Sequence, residues 1–371
     1  MLGSYQSPIK ALAHLVALFA MIWGIGYGIS ASRWSAQLYR VWRFPTTEAH
    51  HLAAKLGQAQ LAIEDVCLLV GPSTVREAFD EDVMHEVVPD LRFLNGGTTG
   101  GGIYVFEAMN HLIQQASIRP KCIVVGLNAR MLIARDIRLN AAGYTDFLDL
   151  TNGRALVAKE QPALRWEAHE QIVANTLWPY HRLSRQLGKL ARTALFVAQD
   201  KLSWHEPLPV SAFCYGPREL GRSNMYRYDD TEPISGKQWE RFVRIYEEEG
   251  LFDPKRYAHP EHLDSLRMVL DQLMKITPHL IVIQMPENSF GRDQLAPLAS
   301  DAMATLLADY QKRGVHILDL SSALPDSAMR DVGHILASAR PDFSRVVARF
   351  VTDCINGNEG AWHERTASYT E

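Results

Sequence analysis

A chain of 371 residues, 47% hydrophobic and 22% charged, is long enough for one large α/β domain with insertions or two modest domains, and its composition is ordinary for a globular protein. A formal net charge of -4 leaves no whole-chain electrostatic footprint for nucleic acid or an acidic polymer, so no nucleic-acid partner is expected. The four cysteines, Cys67, Cys122, Cys214 and Cys354, are far apart and form no CxxC or Cys/His ligand spacing, which argues against a disulfide framework and a structural zinc site. Cys67 and Cys122 lie in apolar runs and read as buried free thiols.

The first element is a membrane anchor. Residues 11–31, ALAHLVALFAMIWGIGYGISA, contain no Asp, Glu, Lys or Arg. At ~1.5 Å per helical residue the segment is roughly 30 Å long, about the hydrocarbon thickness of a bilayer. A cleaved signal peptide would have a shorter apolar core and an A-x-A-like site, for which ISASRW is a poor match; a buried core helix is the other alternative. Lys10 and the amino terminus precede the span, and Arg33, Arg40 and Arg43 follow it. Charge count alone therefore favours a cytoplasmic domain, by a margin of about one charge. Residues 1–45 read as anchor and juxtamembrane segment, and 46–371 as a catalytic domain with an insertion at about 135–260.

Within that domain, short apolar runs alternate with helical patterns, which predicts an α/β fold: a three-layer sandwich with a parallel central sheet. The strands are DVCLLV (65–70), LRFLN (91–95), CIVVGLN (122–128), HLIVIQM (279–285) and VHILDL (315–320). Helices are predicted over 103–117, from Leu263 with Leu266, Leu270 and Leu273 at three- and four-residue steps, and over 295–312, closed by Gly314. In the insertion the strand rhythm disappears. There Leu183, Leu187, Leu190, Ala194 and Val197 share one helical face, with Arg182, Arg185, Lys189 and Arg192 mostly off it and Trp178, Tyr180 and Trp204 flanking. Such a basic amphipathic helix suits an anionic membrane surface, and equally a helix packed on its own domain.

Four motifs stand at strand ends. In LLVGPSTVREAFD (68–80), Ser73 falls between a strand's carboxyl end and a helix's amino end, where parallel sheets hold ligands and where helix N–H groups stabilise negative charge. The same residues permit a capping reading, with Thr74-x-x-Glu77 as a capping box. In LNGGTTGGG (94–102), Gly97 is placed to offer its N–H to an oxyanion, or to serve a flexible turn; no Lys-Ser/Thr follows, so a nucleotide P-loop is disfavoured. In VVGLNAR (124–130), Asn128 is either an amide donor to that oxyanion or a turn residue. In LPDSAMRDVGHILASARPDF (324–343), Asp331 is spaced to bind one imidazole nitrogen of His334 and leave the other facing a serine. No further ligands accompany that pair, so neither a metal nor a cofactor is expected. Glu287, Asn288 and Arg292, which follow a strand, are candidate substrate-binding residues, although surface-loop polarity accounts for them as well.

The order Ser, Gly, Asn, Asp-x-x-His resembles the SGNH (GDSL-like) hydrolase superfamily. The resemblance implies nucleophile Ser73 in GPST, Gly97 in an N-x-G-x-x-G block from Asn95 to Gly100, and Asn128 in Gly126-Leu127-Asn128-Ala129. It also implies base His334 with Asp331, and an oxyanion hole made by Ser73, Gly97 and Asn128. It covers about 63–136 and 263–352, not the insertion. Pro72 stands where the family's GDS block has Asp, and Ala129 where G-x-N-D has Asp; neither change removes a catalytic atom. The anchor, the GxS-type block and the insertion resemble the membrane-linked branch, which includes alginate and cellulose O-acetylation proteins and the D-alanyl transfer protein of teichoic acids. Those proteins work outside the membrane beside a multispanning O-acyltransferase. The expectation is therefore serine-dependent acyl transfer or ester hydrolysis on a cell-envelope polysaccharide, by a single-pass protein of a bacterial inner membrane with a periplasmic or extracellular domain. A membrane-anchored general esterase, and a catalytically silent polysaccharide-binding or assembly subunit, are the alternatives.

Overall fold

The structure, a computed structural model, describes residues 8–31, 49, 52–53, 55–56, 65–98, 102–116, 118–132, 144–148, 150–158, 162–178, 232–248, 250–257 and 260–358. Its centre is a five-stranded sheet of β1 (Val66–Val70), β2 (Arg92–Asn95), β3 (Cys122–Leu127), β4 (His279–Gln284) and β5 (His316–Asp319). All neighbours are parallel, in the order β2-β1-β3-β4-β5. Every residue of β1 and β3 is buried, as expected of strands with helices on both faces, and this explains why they read as continuous apolar runs rather than alternating ones.

Alternate residues face two different cores. Val66, Leu68, Val70, Ile123, Val125, Leu127, Leu280 and Val282 meet α4 (Ile103–Gln115), α7 (Pro260–Met274) and α8 (Ser300–Lys312). Leu69, Val124, Ile281 and Ile283 meet α2 (Ser73–Ala78), α3 (Glu81–Val87) and α9 (Arg340–Asn356). Each fully buried Leu, Ile or Val contributes about 1.5–3 kcal/mol of transfer free energy, so the two cores hold the sheet rigidly beneath its loops.

Cys67 and Cys122 correct the free-thiol expectation. They are register partners on β1 and β3, fully buried on the second face, and joined as a disulfide with Cα atoms 4.6 Å apart. In-register neighbours on parallel strands point their Cβ atoms to one face, which a sequence separation of 55 conceals. Cys354 is buried and free, and Cys214 lies outside the described residues.

The predicted helices are present with shifted bounds. Leu266, Leu270 and Leu273 are fully buried on α7. The helix expected over 295–312 begins only at Ser300, after a π turn Gly291–Leu295 and a 3-10 turn Ala296–Leu298. Pro297 in that turn has no N–H to give an α-helical ladder. Gly314 closes α8 with φ +86°.

The elements of the described insertion are short helical turns at Tyr144–Phe147, Arg154–Val157 and Pro254–Arg256 and the helices α5 (Pro162–Leu177) and α6 (Lys237–Glu248). Tyr144, Phe147, Leu156, Ala168, Ile172 and Tyr246 enter the first core, so it packs as part of the domain. The amphipathic segment 182–197, with Tyr180 and Trp204, lies outside the described residues.

At the amino end, α1 (Pro8–Ala31) is a helix of 24 residues. Its exposed side chains include the large apolar Leu12, Leu15, Val16, Leu18, Phe19 and Ile25. Among the described residues no helix is long and apolar enough to cross a membrane. The Trp23 indole N–H donates to the Leu177 carbonyl (2.9 Å), and the Phe19 and Trp178 rings stack at 5.7 Å, bringing α1 beside the end of α5.

Candidate active site

The strand order places the loops after β1 and β3 side by side at the carboxyl edge, the point where the direction of strand addition reverses and open parallel sheets bind ligands. Glycine makes the close approach there possible. A Cβ on Gly71 would lie 2.6 Å from Val75 Cγ2 and 2.7 Å from the Gly126 carbonyl, and one on Gly126 would overlap the same Val75 methyl. Val75 therefore fills the gap between the two strand ends and seats α2, whose first residue is Ser73.

The capping box does not form. Pro72 precedes α2 without a side-chain cap, and Glu77 is buried between Arg76 (2.7 Å) and Arg340 (3.8 Å). Ser73 is left free for other chemistry. Its Oγ is 2.8 Å from His334 Nε2, across 261 residues of sequence. His334 Nδ1 is 2.8 Å from Asp331 Oδ1 and Oδ2, so Nδ1–H donates to the carboxylate and Nε2 accepts from the serine.

Asp331 is buried, while Ser73 and His334 remain partly exposed. Its Oδ1 also accepts the Gly333 and His334 N–H groups (both 3.1 Å), and its Oδ2 accepts from Arg330 Nη1 (3.1 Å). Burial alone would raise this carboxyl. The His334 charge and hydrogen bond, the Arg130 charge and the Gly333 N–H outweigh it and hold Asp331 well below the usual carboxylate range.

Asn128 follows β3 directly and is buried. One amide proton of its Nδ2 goes to Thr74 Oγ1 (3.3 Å), beside the nucleophile, and Oδ1 has no partner among the described residues. The other amide proton and the Ser73 N–H, at the first turn of α2, are the donors available to an oxyanion.

Gly97 departs from expectation. Its N–H donates to Asn95 Oδ1 (3.0 Å), and a Cβ there would overlap the backbone of Arg76. Glycine at 97 thus serves close packing of the β2 end on α2, and its N–H is spent. Asn95, whose role the sequence reading missed, is the clamp: Nδ2 reaches the carbonyls of Val75 (3.3 Å), Arg76 (3.2 Å) and Phe79 (3.3 Å). The motif from Asn95 was the available signal. Thr99 and Gly100 lie outside the described residues.

Of Glu287, Asn288 and Arg292, Asn288 meets the His334 loop through its backbone, while Arg292 is partly exposed and lies 3.8 Å from Asp326. Asn288 N–H donates to the Val332 carbonyl (3.0 Å), its Oδ1 accepts from Gly291 N–H (2.9 Å), and Arg292 Nη1 donates to the Glu287 carbonyl. The Glu287 side chain is buried, its Oε1 has no partner among the described residues, and burial raises its carboxyl despite the Arg130 and Arg292 charges. Among the described residues no three His, Cys, Asp or Glu side chains converge as a metal site requires.

No family model and no curated protein matches the chain. What the fold and the site define on their own is an all-parallel α/β domain that carries a Ser–His–Asp array at the carboxyl edge of its sheet.

Proposed function

We propose that this chain is a membrane-tethered serine enzyme of SGNH type, with the flavodoxin-like strand order 2-1-3-4-5, that transfers or hydrolyses an acyl ester on a cell-envelope polysaccharide. The observation that carries the reading is the continuous relay from Ser73 Oγ to His334 (2.8 Å) and from His334 to Asp331 (2.8 Å). In it, His334 Nε2 takes the Ser73 proton as Oγ attacks the acyl carbon, and Asp331 stabilises the imidazolium. The Ser73 N–H and the Asn128 amide hold the oxyanion. Collapse expels the leaving alcohol, which takes the proton back from His334. Water or a sugar hydroxyl, deprotonated by His334, then releases the acyl group and restores Ser73.

Residues 11–31 are the proposed single-pass anchor, since a helix apolar on every side suits lipid better than water. The buried Cys67–Cys122 disulfide favours an oxidising compartment, hence a domain on the outer side of the inner membrane, where a multispanning O-acyltransferase is the proposed partner.

The test is incubation of the full-length protein with an activated acyl ester, followed by intact mass and peptide mapping. The expected result is an acyl adduct on Ser73 and a roughly 10³-fold or greater loss of turnover in Ser73→Ala. Retention of most turnover in a folded Ser73→Ala protein overturns the mechanism.

A further inference from the structure

Arg130 closes the VVGLNAR segment with no role assigned to it there, yet it touches both the insertion and the Asp331–His334 turn. It lies on the 3-10 turn Ala129–Leu132, just beyond Asn128, and is partly buried. Its Nη1 donates to the hydroxyl of Tyr246, on α6 of the insertion. Its Nη2 occupies the space that a Cβ on Gly333 would take, and Thr74 Cγ2 stands 3.2 Å from that same point. The Asp331–His334 turn therefore packs at Gly333 on both Thr74, next to the nucleophile, and the Arg130 guanidinium.

We propose that Arg130 is a positioning residue that fixes the Asp331–His334 turn against Ser73, with Tyr246 as its support from the insertion. The inference rests on the serine mechanism above. Tyr246 is a rigid support, since its ring packs on Phe242 at 4.4 Å and on Phe252 at 6.5 Å. Phe252 in turn meets Phe290, three residues past Glu287, at 5.9 Å. A second tether from the insertion reaches the same turn, because Ile234 N–H donates to the Arg330 carbonyl (2.8 Å).

Charge points the same way. Burial would lower the Arg130 guanidinium, but Tyr246, Asp331 and Glu287 outweigh it and keep it cationic. The same charge helps keep Asp331 ionised and so able to orient His334 Nδ1–H. The competing account makes Arg130 only a neutraliser of buried Glu287. On that account Arg130→Gln would be harmless once Glu287→Gln removes the charge; on ours the double variant stays impaired.

The experiment uses full-length protein with p-nitrophenyl acetate as probe, in Arg130→Met, Arg130→Lys, Tyr246→Phe and Arg130→Gln/Glu287→Gln. A second readout is the downfield proton resonance of His334 Nδ1–H, assigned by its loss in His334→Gln. A misplacement of about 1 Å can cost 10²-fold, so Arg130→Met is expected to lower kcat by about 10- to 100-fold. KM should stay within about three-fold, because Arg130 holds the turn and does not hold the ester. Lysine should restore part of the rate, Tyr246→Phe should fall between, and the resonance should weaken in the same order. Ser73-dependent turnover that Arg130→Met leaves within about two-fold of wild type overturns the inference, as does an effect on KM alone or full rescue by Glu287→Gln. If no variant or wild type shows Ser73-dependent turnover, the proposed function fails. The resonance then decides Arg130 separately: unchanged in Arg130→Met, it refutes the positioning role. Should Arg130→Met not fold, Tyr246→Phe, which keeps the ring, carries the same test.

Discussion

Gly126→Ala is the substitution that best links packing to chemistry in this molecule. A Cβ at 126 would sit 2.8 Å from Met285 Sδ and 3.0 Å from its Cγ, and nearer still to Val75 Cγ2. Met285 is flexible and can give way. Val75 is fully buried between two strand ends, and it can retreat only by carrying α2 with it. Overpacking of this kind costs about 1–3 kcal/mol. Because Ser73 is the first residue of α2, a shift on the order of 1 Å moves Oγ away from His334 Nε2 and is expected to cost about 10²-fold in kcat/KM. Turnover of an activated ester and the thermal midpoint are measured together, in Gly126→Ala and in Gly126→Ala/Val75→Ala. Removing the Val75 methyls should recover rate without recovering stability, since it relieves the clash but leaves a cavity. A Gly126→Ala protein that loses stability yet turns over at the wild-type rate would show that Val75 does not seat the nucleophile.

Two further outcomes are expected. Asp331→Asn should lower kcat by about 10⁴, because the amide no longer selects the imidazole tautomer that leaves Nε2 facing Ser73. Since the folded Asp331 carboxyl is held below its unfolded value of about 3.9, its stabilising contribution is complete above that pH and is lost as pH falls further. The thermal midpoints of wild type and Asp331→Asn should accordingly differ at pH 7 and converge below about pH 4; a constant gap would contradict the ion-pair account. For the anchor, a carboxyl-terminal reporter active only in the cytoplasm should stay silent in membrane-bound protein, and strong activity would reverse the proposed topology.

How much of this could be read beforehand differs from residue to residue. All five strands were legible within a residue or two at their ends, most plainly β1 and β3, because a strand buried on both faces is a local apolar run stopped by a turn residue such as Gly71 or Asn128. The face of α7 was legible from the three- and four-residue steps of Leu266, Leu270 and Leu273. The start of α8 was misplaced, since the apolar pattern continues through Pro297 while the backbone hydrogen bonding does not.

At the site, the sequence by itself determined which side chains stand at strand ends, and in what order, because both depend only on neighbouring residues. Which of them meet was decided by the tertiary structure. The order β2-β1-β3-β4-β5 is a property of the whole sheet, and it alone brings Ser73 to His334 and Cys67 to Cys122. Gly97 illustrates the limit most sharply: the motif places its N–H at the right strand end, but the Asn95 side chain, once folded, takes that N–H for itself. Arg130 illustrates the converse. Its motif signals a role for Asn128 and none for Arg130, whose role arises from Tyr246 and Gly333, carried by two other parts of the chain, meeting one guanidinium.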